Sequence, residues 1–104
     1  MRTVWYHRQV SEFADEVNEG FANLIFHLGQ MAALAFGDLP DASGQRPEPN
    51  IEAGGMFVEM LGALQEKSRD GVTAAEAKLL EDLLYEVRLR YVQVQGGRKR
   101  IIEP

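Results

Sequence analysis

One hydrophobic repeat limits this chain more than any other feature. Between Ser11 and Phe36, the residues Phe13, Val17, Phe21, Leu24, Leu28, Met31 and Ala35 recur at steps of three and four, the spacing that gathers side chains on one side of an α-helix. Wound at about 100° per residue, the apolar side runs from Phe13 through Ile25 to Ala33 and Phe26. It covers more than half the circumference and leaves Asn23, His27 and Gln30 as the polar stripe. A surface helix of a monomer carries a narrower apolar face, and one apolar nearly all round is buried. The expectation is a central helix or an oligomer interface. Ser11 is the expected N-cap, with Glu12, Asp15 and Glu16 near the positive end of the helix dipole. Gly37 is the expected C-cap, and Gly20 a point where the first turns bend away. Ala22, Gly29, Ala32 and Ala33 are small enough for a neighbouring helix to approach.

The next stretch, GDLPDASGQRPEPN, holds three prolines and two glycines in 14 residues. Pro47 and Pro49 deny helix to the residues before them, so a long loop that crosses the bundle or stays mobile is expected. A second helix should start at Asn50, an N-cap type, and reach about Arg69. Ala53, Met56, Phe57, Met60, Leu61 and Leu64 are expected to face inward, with Glu52, Glu59 and Glu66 opposite. Gly54 and Gly55 weaken its first turns by roughly 1 kcal/mol each relative to Ala; they fray that end or admit a close backbone contact, and fraying is the expected outcome. Asp70 and Gly71 then turn the chain, and T-A-A-E from Thr73 to Glu76 matches a capping box.

A third helix is expected from Ala74 to about Val94, antiparallel to the second, with Leu80, Leu83, Leu84, Val87, Tyr91 and Val94 on one face. Tyr85, Leu89 and Val92 form a smaller apolar patch on another side, which the first helix or a partner must cover. At the ends, TVWYHRQV and YVQVQ-GG-RKRIIE alternate weakly, and Gly96-Gly97 offers the turn for a small terminal β-hairpin. Otherwise the helix ends at Gly96 and a basic tail follows. The fold class is therefore all-α: a three-helix bundle of helix, long loop and helical hairpin, completed by oligomerisation. Its divisions are 1–20 (an extension and the start of the first helix), 21–94 (the helical domain) and 95–104 (the basic tail).

Composition narrows the functional classes. The chain has 104 residues, 45% of them apolar, enough for one domain with a core. It has no cysteine, which excludes disulfides, thiolate nucleophiles and cysteine-ligated metals. The formal charge of −5 is unevenly placed, because the body from Glu12 to Glu86 is strongly acidic and both ends are basic. A uniformly basic surface would suit nucleic acid; here only the ends do. The most hydrophobic stretch, Phe21 to Phe36, spans 16 residues and is broken by Asn23, His27 and Gln30, short of the ~20 apolar residues of a membrane span. With no export signal evident in Met1 to Val10, a soluble cytoplasmic protein is expected.

The block FANLIFHLGQMAALAFGDLP, the Pro-rich loop and MFVEMLGALQEKSRDGVTAAEAKLLEDLLYEVRLRYV resemble an uncharacterised bacterial family of short helical proteins, domain of unknown function 1844. The resemblance covers Phe21 to Val92, about two thirds of the chain. It rests on the apolar helix ending at Gly37, LGALQEKS from Leu61 to Ser68, the turn Gly71, Val72, Thr73, and the closing LLYEVRLRYV. These are helix-packing motifs. What the resemblance implies is a cytoplasmic helical protein with no assigned activity.

No catalytic residue, cofactor or metal site is expected. His27 between Asn23 and Gln30 reads as an interface histidine, and His7 lies in a terminal segment. The chain has no pair of Glu-x-x-His motifs for a dimetal bundle site and no phosphate-loop spacing around its glycine pairs. Glu12, Asp15, Glu16 and Glu19 read as a solvated acidic face. The leading expectation is a non-catalytic interaction or assembly subunit, forming a homo-oligomer or joining a larger complex. Its interaction residues would be Trp5, Tyr6, Phe21, Phe26, His27, Gln30, Tyr85, Leu89 and Val92, since aromatic residues are enriched at binding hot spots. One alternative is a nucleic-acid or ribosome-associated factor acting through Arg98, Lys99 and Arg100. Another is a small-ligand carrier with the Asn23, His27, Gln30 stripe in its pocket.

Overall fold

Asn18 starts the first helix because it serves the backbone twice over. The computed structural model describes residues 16–102, with side chains described through residue 97. In it, Asn18 is extended at φ −67° and ψ 127°, and its side-chain oxygen accepts a hydrogen bond from the Phe21 N–H at 2.9 Å. Helix α1 then runs Glu19–Ala35. The continuous helix expected from Ser11 is therefore interrupted: residue 16 is helical, but Val17 bends and Asn18 restarts the ladder. Gly20 lies inside α1, and the proposed cap Ser11 lies outside the described residues.

At the other end, Phe36 is the capping residue and Gly37, at φ +77°, follows it. The Gly37 N–H donates to the Leu34 carbonyl and the Asp38 N–H to the Ala33 carbonyl, at 3.0 and 2.9 Å. This pair of bonds is the Schellman closure, in which glycine takes the left-handed position. The loop after it folds back on α1. Asp41 accepts from the Ser43 and Gln45 N–H groups, and the Asn50 N–H donates to the Ala35 carbonyl at 2.6 Å. The loop thus delivers α2 beside the end of α1.

Helix α2 spans Ile51–Ser68, capped by Asn50 accepting from the Ala53 N–H at 3.0 Å. Its glycine pair does not fray. Gly54 is buried, and a Cβ there would overlap the Phe36 ring; a Cβ on Gly55 would sit 3.1 Å from Tyr91 Cε1. The Phe36 and Tyr91 rings lie 6.2 Å apart, tilted by 52°. Two aromatic side chains, one from each neighbouring helix, therefore close over the bare backbone of Gly54 and Gly55. Seating Phe36 on Gly54 sets the rotation of α2, so that Gly54 and Leu61 point inward while Met56 and Met60 are exposed. The inward placement expected of the two methionines is corrected by roughly a quarter-turn of the helix.

Helix α3 spans Ala74–Ile102, 29 residues. It buries Leu80, Leu84 and Val87, with Leu79, Leu83, Tyr91 and Val94 partly buried against them. It is antiparallel to α2, because Gly55 meets Tyr91 while Gly62, further along α2, meets Arg88. Against α1, Leu83 packs on Gly29, where a Cβ would lie 2.9 Å from Leu83 Cδ2. The helix continues through Gly96 and Gly97, neither of which has positive φ. That corrects both the hairpin turn expected there and the separate tail expected from 95, at least as far as 102. Arg98, Lys99 and Arg100 fall in its last turns, where basic residues suit the negative end of the dipole. The fold is all-α, three mutually packed helices with no strand among the described residues.

Candidate interaction surface

A buried carboxylate fixes the end of the molecule where α1 and α3 begin. The Thr73 hydroxyl accepts from the Glu76 N–H at 3.1 Å, and Glu76 Oε1 accepts from the Thr73 N–H at 2.9 Å, so the capping box forms as expected. It also does more than the motif implies. Glu76 Oε2 accepts from the Asn18 N–H at 2.6 Å, and the Thr73 hydroxyl donates to the Glu16 carbonyl. Glu76 is only 6% exposed. The N–H groups of Thr73 and then Asn18 hold its carboxyl below the usual carboxylate range, since both bonds favour the charged form.

A second long-range tie lies near the other end of α1. Arg90 grips Asp38 with two bonds, Nε to Oδ2 at 2.8 Å and Nη2 to Oδ1 at 2.6 Å, and this raises the Arg90 pKa further above its ordinary value. Asp38 is the residue just past the Schellman glycine. Both ties orient α1 against α3, and so determine which faces remain outside.

Those faces carry large apolar side chains on all three helices. Leu24 and Phe26 are exposed on α1, Met56 and Met60 on α2, and Tyr85, Leu89 and Val92 on α3. Among the described residues, seven large hydrophobic side chains are thus exposed and seven hydrophobic residues are buried. On α3 the exposed residues lie on the side opposite Leu80, Leu84 and Val87, where neither α1 nor α2 reaches. Tyr85 and Val92 are 67% and 61% exposed.

Of the residues singled out in the sequence, Phe26, His27, Gln30, Tyr85, Leu89 and Val92 are all exposed, while Phe21 is half-buried against the core. They do not form one patch: Phe26, His27 and Gln30 belong to α1, the last two on its outer polar stripe with Asn23, and Tyr85, Leu89 and Val92 belong to α3. Trp5 and Tyr6 lie outside the described residues, as do the side chains of Arg98, Lys99 and Arg100. Met56 and Met60 were missed. Their signal was the Gly54 to Leu61 spacing of seven, which marks the seam of α2 once glycine is read as a contact rather than a weakness.

Among the described residues, two open depressions lie on the surface. One, of about 230 Å³, lies between the end of α2 and the start of α3, lined by Gln65, Ser68, Val72 and Leu80 among others. The other, of about 360 Å³, is bordered by Glu52, Met56, Glu59 and Tyr91. The Asn23, His27, Gln30 stripe lines neither of them. Among the described residues no cluster of His, Asp or Glu could hold a metal ion, and no helix is long and apolar enough to cross a membrane.

No curated protein and no solved structure matches the chain. The family model described as domain of unknown function DUF1844 matches residues 18–93. That match opens at Asn18, the cap of α1, and closes within α3, so it takes in α1, α2, the first two thirds of α3, the Schellman closure, the glycine seat and the capping box. The chain therefore belongs to the DUF1844 family.

Proposed function

We propose that this protein is a non-catalytic association subunit whose role is to be held against another protein surface. The observation that supports this reading is the balance of apolar residues: among the described residues, as many large hydrophobic side chains are exposed as hydrophobic residues are buried. Scattered single hydrophobics are ordinary on a surface. Here they form helical rows, Met56 with Met60 one turn apart and Tyr85 with Leu89 and Val92 along two turns. Contiguous exposed apolar surface of that kind marks interaction sites. Tyrosine and methionine also suit such surfaces, the first for its large rigid area and the second for its adaptable shape.

Sedimentation velocity across the micromolar range and native mass spectrometry of the protein taken from its own cells test the reading together. The expected result is a mass above the 11.7 kDa of one chain in the first, a protein complex in the second, or both. A strict monomer in both measurements would overturn it.

A further inference from the structure

We infer that the outer face of α3 pairs antiparallel with the same face of a second copy, centred on Leu89; this rests on the reading of the protein as an association subunit. Tyr85, Leu89, Val92 and Gly96 follow one another at steps of four, three and four, the spacing of a coiled-coil seam. The three side chains are exposed, and a Cβ on Gly96 would meet nothing within 4 Å. A glycine inside a helix weakens it, and among the described residues nothing uses the space Gly96 leaves. A second helix laid along this seam would.

Charge identifies the second helix. From Ala74 to Glu86, α3 carries the acids Glu76, Glu81, Asp82 and Glu86 against Lys78 alone; from Val87 to Ile102 it carries five basic residues and no acid. Glu76 is committed to its cap and Arg90 to Asp38, and the polarity survives without them. An antiparallel pair lays the acidic half of each copy on the basic half of the other, whereas a parallel pair stacks like on like. The midpoint of the helix falls at residue 88, beside Leu89, so the two helices overlap along their whole length of about 44 Å. Leu89 then meets Leu89 of the second copy, and Tyr85 meets Val92. A two-fold interface must be self-complementary in this way. A chain of net charge −5 repels its copies in arrangements that lack such matching.

Because the full chain has no cysteine, introduced ones report geometry directly. Under mild oxidation Leu89→Cys should cross-link to itself, and a mixture of Tyr85→Cys and Val92→Cys chains should give the mixed dimer over either homodimer. Homodimers of each single variant in place of the mixed species would indicate a parallel pair and overturn the proposal. Leu89→Glu should weaken the dimer by more than about thirtyfold with unchanged helix content by circular dichroism, and molar salt should weaken the unmodified dimer. An oligomer that is indifferent to Leu89→Glu and to the cross-links would overturn this interface and leave the association reading standing. A monomer that binds no other protein would overturn both.

Discussion

Gly54 is the residue at which this fold has least freedom. Any Cβ placed there overlaps the ring of Phe36, and Phe36 is itself buried. In an open helix, Gly→Ala would gain up to about 1 kcal/mol of propensity. Gly54→Ala should instead destabilise the protein by roughly 1 to 3 kcal/mol, the usual cost of overpacking. Gly55→Ala meets only the edge of Tyr91 at 3.1 Å and should be close to neutral. Thermal unfolding of the two variants checks this, and trimming the ring with Phe36→Leu should recover part of the loss in Gly54→Ala. Equal effects at the two positions would mean that the seat of Phe36 is misplaced. The sequence displays the glycine pair plainly, but helix propensity treats both glycines alike. Only the aromatic residues that arrive from α1 and α3 distinguish them, and those contacts are non-local. Met56 and Met60 were misplaced for the same reason, since the hydrophobic pattern of α2 favours large residues while its seam is set by a missing side chain.

At the scale of elements, helix ends were more legible than helix partners. The Thr73 to Glu76 box, the Asn50 cap and the start of α2 are settled by residues three or four apart, so a local pattern is enough to find them. Thr73→Ala should cost about 1 kcal/mol, and Thr73→Ser, which keeps the hydroxyl, should restore most of it in urea unfolding. The link from Glu76 to Asn18 spans 58 residues and leaves no local trace. Its presence has a pH signature. Because the folded-state carboxyl of Glu76 is held below its ordinary value, its contribution is complete above about pH 5 and is lost as pH falls through the lowered folded value. Glu76→Gln retains an acceptor for the Thr73 N–H but no longer offers Asn18 a carboxylate. The variant should be less stable at neutral pH, and its stability should fall less than that of the unmodified chain as acid is added. A parallel decline of both proteins, followed by urea unfolding down to about pH 3, would show that Glu76 is not the group responsible. The length of α3 was missed because Gly96-Gly97 reads as a turn. Neither glycine takes positive φ, and the basic residues after them favour a helix end lying further on.

For the whole molecule, the deciding quantity is how little core three helices enclose. Among the described residues the buried hydrophobic set is Ile25, Ala32, Phe36, Leu61, Leu80, Leu84 and Val87, and small domains bury the lowest share of their surface. The stability of such a chain should depend on its concentration if a second copy covers the remaining apolar rows, because association adds to folding by mass action. A tenfold rise in concentration contributes about 1.4 kcal/mol per dimer, which for two chains of this size corresponds to an increase in Tm of about 3 to 5 °C. Scanning calorimetry over two decades of concentration measures it. The unmodified protein should show the rise, and Leu89→Glu should unfold at one temperature throughout, below that of the unmodified protein at its highest concentration. The opposite pattern, a Tm that does not move in either protein, would mean that the contacts within a single chain suffice. The rows on α2 and α3 would then play no part in holding the fold together.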